Sequence, residues 1–252
     1  MFVINNTGMT TTRREALRFR PKLRATVIAL PAFLVLVALG AWQVQRLAWK
    51  TELIALIEAR LAAPAAPLPA GLLRPGDVSG FEFRRVTVAG TLLHDREIYL
   101  VATRRGKFGF HVITPLRRTG GGFVLVDRGW VPAEARDPAR RAAGQIGGAV
   151  TIEGLVRAPE EPRWLTPDND PAKNYWFWRD VPAMAAFAGV DAPPLIVEAG
   201  PAANPGGLPI GRAFRFDIAN DHLQYAITWF LLAASLAVIY VLSQRSPVSE
   251  NG

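Results

Sequence analysis

The residues best placed to do chemistry are His222, Tyr225, Ala226 and Trp229, whose i, i+3, i+4, i+7 spacing puts them on one face of a helix. An imidazole beside aromatic rings has two uses at a membrane. It joins the belt of Tyr and Trp that sits where water meets lipid, or, as a neutral base, it holds a haem iron from one axial side. The spacing by itself favours the belt. For the ligand reading, Trp42, Arg46 and Trp49 recur at helical spacing on a second segment and supply an opposite wall, with Arg46 able to pair a propionate. The other two histidines read more simply. His94 lies in a turn beside Asp95 and Arg96, as a surface residue would, and His111 alternates within a strand as a satisfied imidazole.

Other chemistries lack their residues. The chain has no cysteine, which excludes a disulfide framework, a thiolate metal site, a thioredoxin-like pair and covalent c-type haem attachment. It contains no GxxxxGKS/T phosphate loop, no HExxH and no GxSxG elbow. The neighbouring acids Glu160 and Glu161, and Asp168 and Asp170, stand among prolines as solvated loop residues. No catalytic signature is therefore legible, although a glycosidase-type carboxylate pair would be invisible in sequence because its spacing is set in space.

The elements that must position His222 are two uncharged apolar stretches, Ala25 to Val44 and Leu223 to Leu242. Each has about the ~20 residues that cross a ~30 Å hydrocarbon layer as a helix. Arg13, Arg14, Arg18, Arg20, Lys22 and Arg24 precede the first stretch against the single acid Glu15, so the positive-inside bias keeps that end in the cytoplasm. Two spans return the C-terminus to the same side and leave the middle of the chain outside, in a periplasm or an equivalent space. This divides the chain into a basic cytoplasmic arm (1–24), a first span (25–44), a helix extension with a proline-rich linker (45–76), a β-rich outer domain (77–221), a second span (222–242) and a cytoplasmic tail (243–252). A cleavable signal peptide is the competing account of the first span, since Ala38 and Gly40 precede Ala41 at cleavage spacing. The apolar run is longer than a ~7–15 residue signal core, which favours a retained span.

The formal net charge of +8 invites a nucleic-acid reading. The arm, with six cations against one acid, holds five of those charges and the outer domain only three. A basic arm facing anionic lipid accounts for most of the excess, and no basic helix or aromatic RNA-binding motif supports nucleic acid.

Beyond the first span, Trp42, Arg46, Trp49, Lys50, Leu53, Ile54 and Ile57 extend the helical pattern as far as Arg60. Pro64, Pro67, Pro69, Gly71, Pro75 and Gly76 then disfavour both helix and ladder. Strands are expected at 83–93, 97–102, 108–116, 123–130, 149–157, 174–179, 195–199 and 213–218, with Gly120, Gly121 and Gly122 turning a hairpin. Helices are expected at 133–143 and 181–188, where Pro132 and Pro182 suit a first turn. Gly90, Gly129 and Trp130 read as turn geometry and core packing. The fold class is an α+β membrane protein: two transmembrane helices flanking a mainly antiparallel sandwich or small barrel with one or two short helices.

The segments LGAWQVQRLAWKTELI, VTVAGTLLHDREIYL, GFHVITPL, VLVDRGWVPAEARDPARRAAGQIGG, WFWRDVPAMAA and NDHLQYAITWF occur in this order between the two spans. Together they resemble the surfeit locus protein 1 family over almost the whole chain. The resemblance implies an assembly factor for cytochrome c oxidase, in bacterial members linked to binding haem a and delivering it to the catalytic subunit. It implies the histidine of the HLQYA segment, His222, as the ligand to haem iron. Trp42, Gln43, Arg46, Tyr225 and Trp229 are then the candidate contacts. The implied partners are that catalytic subunit, haem a synthase and membrane lipid, in a bacterial inner membrane. A scaffold without cofactor that stabilises an oxidase intermediate is the alternative. Two positions depart from the family pattern: Arg85 stands where proline is common, and Asp127 opens the motif Asp127-Arg128-Gly129-Trp130, read as a turn, where asparagine is usual.

Overall fold

The computed structural model describes residues 17–69, 75–214 and 218–247. In chain order these form β1 (Leu17–Phe19), α1 (Leu23–Ala62), β2 (Ala66–Pro67), α2 (Pro75–Phe81), β3 (Arg85–Leu92), β4 (Ile98–Arg104), β5 (Lys107–Arg118), β6 (Phe123–Pro132), β7 (Ala149–Arg157), α3 (Val181–Phe187), β8 (Ile196–Ala199), α4 (His222–Ser243) and β9 (Arg245–Pro247). They fall into two compact units, residues 1–54 with 218–252, and residues 55–217.

In the first unit, α1 and α4 each carry an 18-residue window apolar enough to cross a membrane, and only 6% and 11% of those windows are buried within the chain. A core helix of a water-soluble domain would be mostly covered, so these helices fit a membrane protein with a central domain between them. Small residues let them approach. A Cβ on Gly40 would stand 2.7 Å from the Phe230 ring, and Ala226 and Ala233 are buried. At the other end the Thr26 hydroxyl meets the Tyr240 hydroxyl at 2.6 Å, Gln244 Oε1 accepts from Lys22 N at 2.8 Å, and β1 pairs antiparallel with β9.

In the second unit a seven-stranded sheet runs β2-β3-β7-β8-β6-β5-β4, and a further pairing of β3 with β5 closes five of its strands into a barrel. The expected choice between sandwich and barrel thus falls to the barrel. The long β5 makes closure possible. Lys107–Ile113 pair with β4, while Leu116–Arg118 pair with β3. The period of two sorts side chains between two cores. Val124, Val126 and Val197 join Val86, Val88 and Leu116 in one cluster, whereas Leu125 and Ile196 face outward onto Trp176, Val181 and Met184 of the layer containing α3. With both faces covered, β6 is buried from Val124 to Val131.

Several expectations change. The linker contains a ladder and a helix after all: Ala66 and Pro67 pair parallel with Val86 and Thr87, and Pro75 opens α2, where its missing N–H costs no helical bond. Residues 133–143 form 3₁₀ turns at 133–135 and 138–144, broken where Arg141 leaves helical geometry at φ −139°. Residues 174–179 are not a strand. Asn174 is left-handed at φ 52°, and Asn169 Oδ1 takes the backbone N–H groups of Phe177 (2.7 Å) and Trp178 (3.3 Å) that a ladder would need. Of the expected strand at 213–218, residues 215–217 lie outside the described residues, and Ala213 and Phe214 are not in a strand.

The Asp127-Arg128-Gly129-Trp130 motif is a β-bulge inside β6 and not a turn. Pairing runs His111 with Trp130 and Ile113 with Asp127, so Arg128 and Gly129 together oppose Val112. Gly129 adopts φ 118°, where only glycine is at ease. Gly90 likewise sits within a strand, beneath the Arg117 carbonyl, and not at a turn.

Candidate functional site

His222 is the first residue of α4, and the backbone N–H of Tyr225 bonds back to Asp221 O at 3.3 Å as the helix begins. Across from it, Gln43 of α1 is buried to 8% exposure although its amide is polar. Burying an amide is unfavourable unless it is hydrogen-bonded. Here His222 Nδ1 donates to Gln43 Oε1 at 2.7 Å. An amide oxygen only accepts, so the proton belongs on Nδ1, and Nε2 keeps the lone pair that a metal ion requires. Among the described residues Nε2 has no hydrogen-bond partner. Orienting one imidazole nitrogen so that the other can bind is the outer-shell arrangement of histidine metal sites.

The remaining candidates divide. Ala226 is buried and Trp229 is half-buried, while Trp42 and Tyr225 are more than half exposed. With two of the three rings so exposed, the aromatic residues do not form two closed walls. Arg46 lies over the Trp49 ring, with its guanidinium carbon 3.9 Å from the centroid. That stack occupies the flat face and leaves the N–H edge free for an oxyanion such as a propionate. The sequence pattern did not flag Asn220 or Thr51. Asn220 Nδ2 donates to Thr51 Oγ1 at 3.3 Å, while Asn220 Oδ1 is buried without a partner, two residues ahead of the imidazole. No local signal reveals such a pair, since the two residues are far apart in the chain.

The second unit holds two buried charge clusters. Glu97 receives both terminal nitrogens of Arg141, one of them at 3.1 Å, with Gln145 Nε2 at 3.2 Å, Tyr99 hydroxyl at 3.1 Å and Arg128 at 3.5 Å. Burial pushes the carboxyl up, but His94 and Arg141 outweigh it and hold its pKa down at about 2. Burial and the Glu97 charge push Tyr99 up to about 12. His94 is no surface residue. Its Nε2 donates to Ile146 O at 3.0 Å, and its Nδ1 lies 3.3 Å from Arg128.

In the other cluster His111 Nδ1 meets Asp127 at 2.8 Å, and Asp127 also accepts from Gly129 N at 2.9 Å. His111 is therefore held through Nδ1, within a strand as its alternation suggests. Burial lowers its pKa, but Asp127 and then Glu198 outweigh that and leave it raised. Glu198, opposite Asp127 in the parallel β6–β8 pairing, is held by Arg179 at 2.6 Å and Arg157 at 3.1 Å.

Known proteins share this arrangement of sequence. A profile of the SURF1 family matches residues 30–234. A SURF1-like protein from Monosiga brevicollis is 38% identical over 226 residues, covering 85% of each chain. Surfeit locus protein 1 from Mus musculus is 36% identical over 83% of this chain and 73% of its own, and that from Homo sapiens is 37% identical over 80% and 71%. The match takes in both apolar helices, the barrel and the His222–Gln43 pair, and the chain belongs to the SURF1 family.

Proposed function

We propose that the protein is an assembly factor for a haem-copper (cytochrome c) oxidase, binding haem a between α1 and α4 and assisting its insertion into the catalytic subunit. The observation that carries this reading is the imidazole of His222, held by Gln43 with Nε2 free at the end of a membrane helix. The donor set suits the cargo. The neutral Nε2 of His222 would hold the iron, exposed Trp42 and Tyr225 and half-buried Trp229 would offer apolar contact to the ring, and the Arg46 edge would pair a propionate. A single protein ligand also suits a carrier that must let go. The six cations before the apolar stretch that begins at Ala25 support a bacterial inner-membrane location with both termini cytoplasmic and the barrel periplasmic. There the barrel would meet the oxidase subunit or haem a synthase. On this reading the protein carries and does not catalyse.

Protein purified from a host that makes haem a is expected to show a Soret band that is absent from His222→Ala. A scaffold without cofactor predicts no stoichiometric haem in either protein, and that result would overturn the carrier reading. Gln43→Leu keeps the ligand but removes the acceptor that fixes its tautomer and ring angle. Its haem affinity, followed by absorbance titration, is expected to fall about 10- to 100-fold, the usual effect of losing an outer-shell partner.

A further inference from the structure

Beside the β6 bulge lies a cleft of about 350 Å³, lined by Arg104, His111, Trp130 and Arg212 together with Ile210 and Gly211. We propose that this cleft is a binding site for the oxyanion group, carboxylate or phosphate, of a small ligand. The inference is independent of the haem reading, because every residue in it belongs to the second unit.

Three features support it. First, the cationic groups converge from three elements. Arg104 ends β4, His111 lies in β5, and Arg212 follows the segment at Ile210 that pairs with Trp130 through bonds of 2.9 and 2.8 Å. Second, one of these cations is left over. Arg128, Arg141, Arg157 and Arg179 each reach a carboxylate of Glu97 or Glu198. Arg104 is half-buried, and no hydrogen bond or ion pair of its guanidinium occurs among the described residues. A guanidinium kept partly from water without an acceptor is the group an anionic ligand would satisfy.

Third, the nearby acids Asp127 and Glu198 are already engaged by other groups. Asp127 is spent on His111 Nδ1 and Gly129 N, which turns the imidazole so that Nε2, with no partner among the described residues, is the nitrogen that donates when the ring is protonated, the form that Asp127 favours. Glu198 is taken by Arg179 and Arg157 and stands 3.8 Å from Arg212. The cleft therefore has a surplus of donors. Its volume falls in the ~300–1,000 Å³ range of small-molecule sites. Bulges recur beside such sites because they re-aim side chains, and here the bulge sits between the two β6 residues, Asp127 and Trp130, that frame His111.

The test uses the full chain in detergent, with labelled histidine and tryptophan side chains followed by NMR. Inorganic phosphate and acetate are titrated separately at constant ionic strength, with chloride as control. Saturable shifts of the His111 ring and the Trp130 indole N–H are expected with at least one anion. A response to phosphate alone assigns a phosphoryl ligand, a response to acetate alone a carboxylate, and a response to both the shared chemistry. Arg104→Gln, at a half-exposed position, is expected to keep the wild-type amide spectrum and weaken binding at least tenfold, with partial recovery in Arg104→Lys. Neither anion shifting these signals beyond chloride, or Arg104→Gln titrating like the wild type, would overturn the site.

Discussion

Glu97→Gln is expected to destabilise the β-domain by about 3–5 kcal/mol, the cost of leaving a buried charge without its partner. The substitution keeps the shape of the side chain, removes its charge and turns one of its two accepting oxygens into a donating amide. What remains is two guanidiniums, Arg128 and Arg141, buried side by side with 2% and 0% of their side chains exposed. Arg128, which burial and then Arg141 already pull down to about 10, loses the carboxylate that supports it. For a domain of this size the melting temperature, followed by near-ultraviolet circular dichroism of the full chain in detergent, is expected to fall on the order of 10 °C.

Acid gives the same cluster a second signature. Glu97 has a folded pKa of about 2 against an ordinary 4.5, so its stabilising contribution is fully present above about pH 4.5 and is lost as pH falls through about 2. A depression of that size corresponds to about 3 kcal/mol at neutral pH. The stability gap between wild type and Glu97→Gln is therefore expected to narrow as pH drops from 4.5 towards 2, because the wild type becomes neutral at this position too. A gap that stays constant through that range would show that the lost stability comes from packing and not from charge.

Gly129→Ala is expected to be nearly as damaging, at about 3–5 kcal/mol, through strain and displaced backbone together. At φ 118° a side chain is disfavoured whatever surrounds it. The surroundings are also closed, since a Cβ would overlap the Ile210 carbonyl and come within 2.7 Å of Gly211 N. The chain at Ile210 would have to lift off β6, breaking its paired bonds with Trp130. Hydrogen exchange at the Ile210 and Trp130 amides reads this directly. Faster exchange at both is expected, whereas unchanged protection would show that the bulge tolerates a methyl group.

The parts of this architecture written in local periodicity were legible from the chain. The apolar lengths around 25–44 and 223–242 announced α1 and α4, and alternation with glycine punctuation located β3 to β8 to within a few residues. His222 stands out by its place on a helix face, whereas the bond from its imidazole to Gln43 joins residues 179 apart and has no local signal. What was not legible depends on partners far apart in sequence. Glu97 and Arg141 lie 44 residues apart, and Arg179 meets Glu198 from another segment, so neither carboxylate differs locally from a solvated acid. The same holds for 174–179, whose aromatic residues have strand propensity but whose N–H groups are claimed by Asn169. Asp127-Arg128-Gly129-Trp130 looked like a turn because its glycine does need positive φ. Only the register with β5 reveals that the chain continues straight on as a bulged strand.

The placement of β8 bears on how the barrel is born. Its four residues bridge β6 on one side, in parallel, and β7 on the other. Until they arrive, the ring of β7, β3, β5 and β6 is complete except for one gap. At ~5–20 residues per second, the ribosome takes seconds to make the stretch from the end of β7 to Ile196. Throughout that interval the margins of β6 and β7 remain raw and able to template foreign strands. A nascent chain that has made only the first apolar helix thus passes through a sticky stage, and Ile196–Ala199 is the latch that ends it.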